Sequence, residues 1–173
     1  MTNNDLAELI FPNIKETIDD LRKKYPKRDL PEGASVTRVA PSPTGYFHIG
    51  GMYQSLIDST IARNTNGVFY VRIEDTDSKR KVDDAVELIY DTLKYYKLMP
   101  DEYQEKDNII GNYGPYIQSE RREIYQVFIK HLISIGRAYP CFCSKEETDA
   151  VAEIQKKKVL GQVIMEDMQN VEI

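Results

Sequence analysis

"SVTRVAPSPTGYFHIGGMYQSLIDSTIARNTNGVFYVRI", residues 35–73, decides the fold. Its first piece, "SVTRVA" (35–40), alternates β-branched and polar residues and predicts a strand. "PSPTGYFHIGG" (41–51) follows, with two prolines, three glycines and one histidine in eleven residues. Neither a helix interior nor a central strand accepts that mix, so it is a loop. Residues 51–66 then carry Tyr53, Leu56, Ile57, Thr60 and Ile61 at helical spacing. Asn66 and Gly67 supply a helix stop that tolerates positive φ. "VFYVRI" (68–73) is a run of strand formers, of the kind buried on both faces of a parallel sheet. Strand, loop, helix and strand make a βαβ unit with a right-handed crossover. The predicted fold class is α/β, a Rossmann-like parallel sheet.

In such a unit the ligand crevice lies beyond the carboxyl ends of the strands. The 41–51 loop leaves one of these ends and enters a helix, whose first N–H groups and partial positive charge suit a phosphate. Glycines let the backbone approach a nucleotide closely. His48 can donate to a phosphate oxygen in either protonation state. Composition alone equally allows a connector loop in which His48 merely caps the helix. The pattern is neither G-x-G-x-x-G nor a Walker loop.

Working outward toward the N-terminus, Leu6, Leu9, Ile10, Ile14, Ile18 and Leu21 mark one helical face, interrupted or begun at Pro12. Pro26, Pro31 and Gly33 end it in a linker, so residues 1–34 are expected to be an appended helical element. Toward the C-terminus, 82–98 reads as a helix with Val82, Val86, Ile89, Leu93 and Tyr96 on one stripe. The tyrosine- and glycine-rich stretch 100–116 reads as irregular. A helix is predicted over 119–135, with Ser119 as N-cap and Gly136 beyond its end. Ser144-x-x-Glu147 is a capping box opening a helix that stops at Gly161. The predicted division is 1–34, 35–140 and 141–173.

Bulk properties exclude several classes. No apolar run approaches the ~20 residues of a membrane span. The first residues do not form a secretion signal. A net charge of -5 argues against a general nucleic-acid coat. Two cysteines, Cys141 and Cys143, make no disulfide framework, and a reducing cytoplasm is expected.

"TRVAPSPTGYFHIGG" resembles the first signature of the class I aminoacyl-tRNA synthetases, and more narrowly the Arg-x-Ala-Pro-Ser-Pro-Thr-Gly opening of the glutamyl-tRNA synthetases. "GVFYVRIEDTDSKR" is similar to that family's Arg-Ile-Glu-Asp-Thr-Asp segment, and "GNYGPYIQSERREIY" to its Gly-Pro-Tyr-x-Gln-Ser-Glu-Arg segment. Gly51 stands where the wider class has a second histidine, as it often does in the glutamyl branch. The resemblance implies that Arg38, Ala40, Ser42 and Glu74 hold L-glutamate, the Arg38 fork on its γ-carboxylate and Glu74 on its ammonium group. It implies that Pro41, Pro43, Thr44, Gly45, His48, Gly50 and Gly51 form the ATP loop. Thr44 and His48 are its catalytic residues, stabilising charge as the α-phosphorus is attacked.

The implied reaction is activation of glutamate with ATP and Mg2+ to glutamyl-adenylate, then transfer to tRNA. The magnesium travels on the ATP phosphates, and Asp75 and Asp77 are assigned no metal. The chain looks like the N-terminal fragment of such an enzyme, monomeric, cytoplasmic and inactive alone. The family's Lys-Met-Ser-Lys-Ser-like second ATP loop lies further downstream, and "DSKRK" (77–81) follows "RIEDT" too closely to be it. Some relatives bind zinc through Cys-x-Cys and a second pair. Structural zinc needs four ligands, and no cysteine or histidine follows Cys143, so free thiols are expected. Two alternatives remain: a glutamyl-queuosine-type tRNA-modifying paralogue, whose members resemble "RIEDID", and a non-catalytic nucleotide-binding fragment.

Overall fold

The computed structural model describes residues 1–77, 80, 82 and 84–157. Its centre is the predicted crossover. Strand β1 (Val36–Val39) leads through the proline loop into helix α3 (Ile49–Asn64), which returns to strand β2 (Val68–Val71). The two strands are parallel and in register, Val36 opposite Val68 and Val39 opposite Val71. The helix stops as its sequence requires: Asn66 takes a positive φ of 53°, and the Gly67 N–H donates to the Ala62 carbonyl at 2.8 Å. Gly67 is fixed by close approach, since a Cβ there would lie 1.9 Å from the Ser35 carbonyl oxygen.

The predicted face of α3 is wrong. Tyr53, Leu56, Ile57, Thr60 and Ile61 are exposed, and Ser55, Ser59 and Ala62 are buried. Small residues let the helix lie close against β1, where the Thr37 hydroxyl donates to the Asp58 carbonyl at 2.8 Å. A bulky stripe would hold the helix off the strand, so it turns outward. Strand β2 is not buried on both faces either. Phe69 and Val71 face the core, while Val68 and Tyr70 are half-buried.

Helix α4 (Ala85–Tyr95) covers the apolar face of the sheet with Ala85, Ile89, Tyr90 and Leu93. Ile89, Tyr90 and Leu93 join Val39, Ala62, Phe69, Val71, Ile73 and Leu98 in one core. Tyr96, predicted on the same stripe, is exposed.

Where an irregular stretch was predicted, a short antiparallel hairpin forms from β3 (Tyr103–Glu105) and β4 (Asn108–Ile110). Ser119 does not cap helix α5 (Arg122–Ser134), which a 3-10 turn, Gln118–Arg121, precedes. Instead its N–H and hydroxyl both donate to the Asp75 carboxylate, at 2.9 and 2.6 Å. The N-terminal segment is two short helices, α1 (Asn3–Ile10) and α2 (Ile18–Lys24), each opened by a capping box, Thr2 with Asp5 and Thr17 with Asp20. Both pack on α5, burying Ala7 and Leu21 and leaving Leu9 exposed.

Helix α6 (Lys145–Lys157) starts at the predicted box, the Ser144 N–H donating to Glu147 at 2.6 Å and the Glu147 N–H to Ser144 at 3.2 Å. Its predicted stop, Gly161, lies outside the described residues, as do Ser78, Lys79 and Lys81 of the "DSKRK" run. No helix among the described residues is long and apolar enough to cross a membrane.

Candidate active site

Residues alternate in facing along a strand. Thr37, Val39, Phe69, Val71 and Ile73 therefore turn to the helices, and Arg38, Tyr70, Arg72 and Glu74 to the opposite face. Arg72 and Glu74 lie just past the carboxyl end of β2, where a charged cluster forms. Arg38 Nη1 lies 2.5 Å from Glu74 Oε1, and Arg72 Nη2 reaches the same oxygen at 2.8 Å. All three side chains are partly shielded, at 35%, 31% and 21% exposure for Arg38, Glu74 and Arg72. Burial pushes the Glu74 carboxyl up, but the two guanidinium donors outweigh it and hold the group below the ordinary glutamate range. Nearby on α3, burial holds the Asp58 carboxyl above its ordinary value against the opposing pull of Gln54 and Arg38.

Two cations on one carboxylate leave guanidinium hydrogens in excess, which suits an incoming carboxylate. Arg72 was missed in the sequence, although its place two residues before Glu74 on a strand puts both on one face.

The loop after β1 is held by its backbone. The Glu74 N–H donates to the Pro41 carbonyl and the Val82 N–H to the Pro43 carbonyl, both at 2.9 Å. Pro43 is fully buried beneath it. The loop encloses a cavity of about 240 Å³ lined by Ala40, Pro41, Ser42, Gly45, His48, Gly50 and Gly51 among the predicted residues, with Phe47 and Gln54. Arg38, Glu74, Pro43 and Thr44 do not line it; Thr44 is half-buried. The charged cluster and the loop cavity are thus two adjoining compartments that meet at Pro41 and Glu74.

His48 does cap α3: its Nδ1 accepts from the Gly50 N–H at 3.1 Å. In the neutral ring this leaves the proton on Nε2, as an exposed donor. The first-turn N–H groups of Ile49 and Gly51 have no carbonyl of their own helix to bond. A Cβ at Gly51 would lie 2.5 Å from the Phe47 ring, and one at Gly50 2.9 Å from the His48 ring. The glycines therefore keep the loop closed down on the helix start.

Residues 35–171 match the family described as tRNA synthetases class I (E and Q), catalytic domain. The chain belongs to that family. It is 48% identical over 164 residues to the glutamate–tRNA ligase of Acetivibrio thermocellus, covering 94% of this chain and 30% of the relative. Against the glutamate–tRNA ligase of Clostridium perfringens (strain 13) it is 49% identical over 156 residues, covering 90% and 29%. Its fold matches a crystal structure of a glutamate tRNA ligase from Elizabethkingia meningosepticum, in complex with its amino acid. That match has a TM-score of 0.67 and 35% identity over 80% of this chain and 27% of the other. The chain thus spans about 30% of the length of the curated class I synthetases it matches.

Cys141 and Cys143 are free thiols, and among the described residues no group of three or more His, Cys, Asp or Glu side chains gathers as metal ligands would.

Proposed function

We propose that this chain is the N-terminal part of the catalytic domain of a cytoplasmic, monomeric glutamate–tRNA ligase. The whole protein activates L-glutamate with ATP to glutamyl-adenylate and passes the acyl group to a glutamate-accepting tRNA. Residues 1–34 form its appended helical element, 35–140 the first half of the catalytic fold and 141–173 the start of a helical region.

The observation that carries this reading is the Arg38–Glu74–Arg72 cluster abutting the His48 loop. An amino acid with a carboxylate side chain needs a guanidinium fork for that carboxylate and an anion for its ammonium group. Arg38 supplies the fork and Glu74 the anion, so an arriving glutamate exchanges the internal ion pair for two of its own. Arg72 keeps Glu74 oriented through the exchange. Ala40 and Ser42, on the wall of the loop cavity, border the glutamate on that side.

The loop cavity takes the ATP phosphates, with magnesium carried on them. His48 Nε2–H and the first-turn N–H groups of α3 meet the charge that builds as the substrate α-carboxylate attacks the α-phosphorus and pyrophosphate leaves, and Thr44, outside the cavity lining, joins them once the nucleotide is bound. This is positioning and electrostatic work, with little acid–base chemistry.

The test is glutamate-dependent ATP–pyrophosphate exchange by the whole protein with glutamate-accepting tRNA present. Activity with glutamate and none with glutamine or aspartate supports the reading, and activity with another amino acid overturns it. The 173-residue chain alone is expected to charge no tRNA, because groups that act as a unit lose most of their rate when part is removed.

A further inference from the structure

Residues 1–34 precede the region that matches the family, yet one of their side chains reaches deep into it. The Arg28 guanidinium forks onto Glu102, Nη1 to Oε1 and Nη2 to Oε2, the second at 2.7 Å. Only 17% of the Arg28 side chain and 11% of the Glu102 side chain are exposed. The same guanidinium lies over the Tyr113 ring, 3.7 Å from its centroid. The Tyr113 hydroxyl in turn donates to the Pro26 carbonyl at 2.9 Å. Glu102 Oε2 also accepts from the Tyr116 hydroxyl at 2.7 Å, and Tyr116 is 1% exposed.

Glu102 and Tyr116 are the outer rail of the sheet. The Val71 N–H donates to the Glu102 carbonyl at 3.0 Å, and the Ile73 N–H to the Tyr116 carbonyl at 2.9 Å. The Gln118 N–H returns a bond to the Ile73 carbonyl at 2.9 Å. These bonds flank Arg72 and stop one residue short of Glu74. A change in how Glu102 and Tyr116 sit is therefore transmitted along the backbone to both residues.

We propose that Arg28 is a positioning residue for the amino-acid end of the site, holding Glu102 and Tyr116 where they set the register of residues 71–74. The proposal rests on the glutamate reading of the Arg38–Glu74–Arg72 cluster. Removing Arg28 leaves a buried carboxylate without its cation, and such a group is driven toward water. Tyr116 then loses its fixed acceptor. Lysine keeps the charge but not the fork.

The test uses the whole protein, with glutamate and ATP varied in turn in the pyrophosphate-exchange assay. Arg28→Gln raises the KM for glutamate on the order of tenfold, as a small misplacement of a binding group does, and leaves the KM for ATP unchanged. The double change Arg28→Gln with Glu102→Gln restores much of the glutamate KM, because no uncompensated charge remains. Lys130→Gln cuts a separate tether of the N-terminal segment, the Nζ bonds to Glu8 and to the Ile14 carbonyl at 2.7 and 2.8 Å. It leaves the glutamate KM where it was.

On the 173-residue chain, amide hydrogen exchange at Ile73 speeds up in Arg28→Gln and not in Lys130→Gln. That readout needs no activity: acceleration at Ile73 with exchange at Leu93 of α4 unchanged supports the positioning claim, and acceleration at both overturns it. An active wild type whose Arg28→Gln variant keeps its glutamate KM, or shifts both KM values together, overturns the proposal. So does unchanged exchange at Ile73. A wild type with no glutamate-dependent exchange overturns the glutamate reading instead, and the claim then stands or falls on Ile73.

Discussion

The two faces of the β1–β2 ribbon are made from alternate residues of the same strands, yet they are stabilised by different physics. On one face Val39, Phe69, Val71 and Ile73 are almost completely buried against α3 and α4. Any side chain of similar size and polarity would serve there at modest cost. On the other face Arg38, Arg72 and Glu74 are linked by directed ion pairs, where exchanging arginine for lysine changes the geometry even though the charge survives. One face tolerates substitution by volume, and the other is specified atom by atom.

The largest expected effect comes from breaking the apolar face. Phe69→Ala should lower the unfolding free energy of the chain by about 3–5 kcal/mol, as deletion of a buried ring does. Urea denaturation followed by far-UV circular dichroism measures it. A loss below about 0.5 kcal/mol, the scale of a surface substitution, would show that the core does not close around Phe69.

Next is Arg38→Lys on the polar face. In the whole protein it should cost about 1.5–3 kcal/mol in kcat/KM for glutamate, the range of a charge-assisted hydrogen bond, and leave the ATP dependence alone. Steady-state kinetics with each substrate varied separates the two. A defect confined to ATP would put the side chain at the wrong end of the site.

A smaller effect is expected from pH. The folded state holds the Glu74 carboxyl below its ordinary value, so its ion pairs stabilise the fold above the ordinary glutamate pKa of about 4.3. That contribution is lost as pH falls through the depressed folded value. The urea midpoint of the wild type should therefore fall more steeply below about pH 4.3 than that of Glu74→Gln. Because the cluster is partly exposed, salt should shrink the difference. Parallel pH profiles would remove Glu74 from the balance.

The smallest change is expected on the outward stripe of α3. Leu56→Gln should alter the stability of the 173-residue chain by no more than about 0.5 kcal/mol, the range of surface substitutions. The same substitution in a core-facing stripe would have cost several times more, so the measurement tells which face of α3 is buried.

The crossover itself was legible, because two short strand-forming runs flank a helix of the right length and Asn66 offers a residue that accepts a left-handed turn. The capping box at Ser144 and Glu147 was legible for a similar reason: both partners are local. The face of α3 was not, because the rule that bulky apolar residues point inward gives way where a helix must approach a strand closely. The β3–β4 hairpin was hidden in three-residue strands joined through Lys106, which takes a φ of 55° without the usual glycine or asparagine. Ser119 misled because its partner, Asp75, is 44 residues away in sequence. In the site, Arg38 and Glu74 stood out through their motifs, but their direct pairing required the register of β1 against β2. Arg72 could have been found from strand alternation alone.

The Arg28–Glu102 contact joins residues 74 apart. A ribosome adding about 5–20 residues per second emits Glu102 roughly 4–15 s after Arg28. The strand pairs of the crossover, Val36 with Val68, need only 32 residues of growth, 68 − 36. During synthesis the central ribbon can therefore close first, while the N-terminal segment trails free in solution, and the Arg38–Glu74–Arg72 cluster acquires its final alignment later.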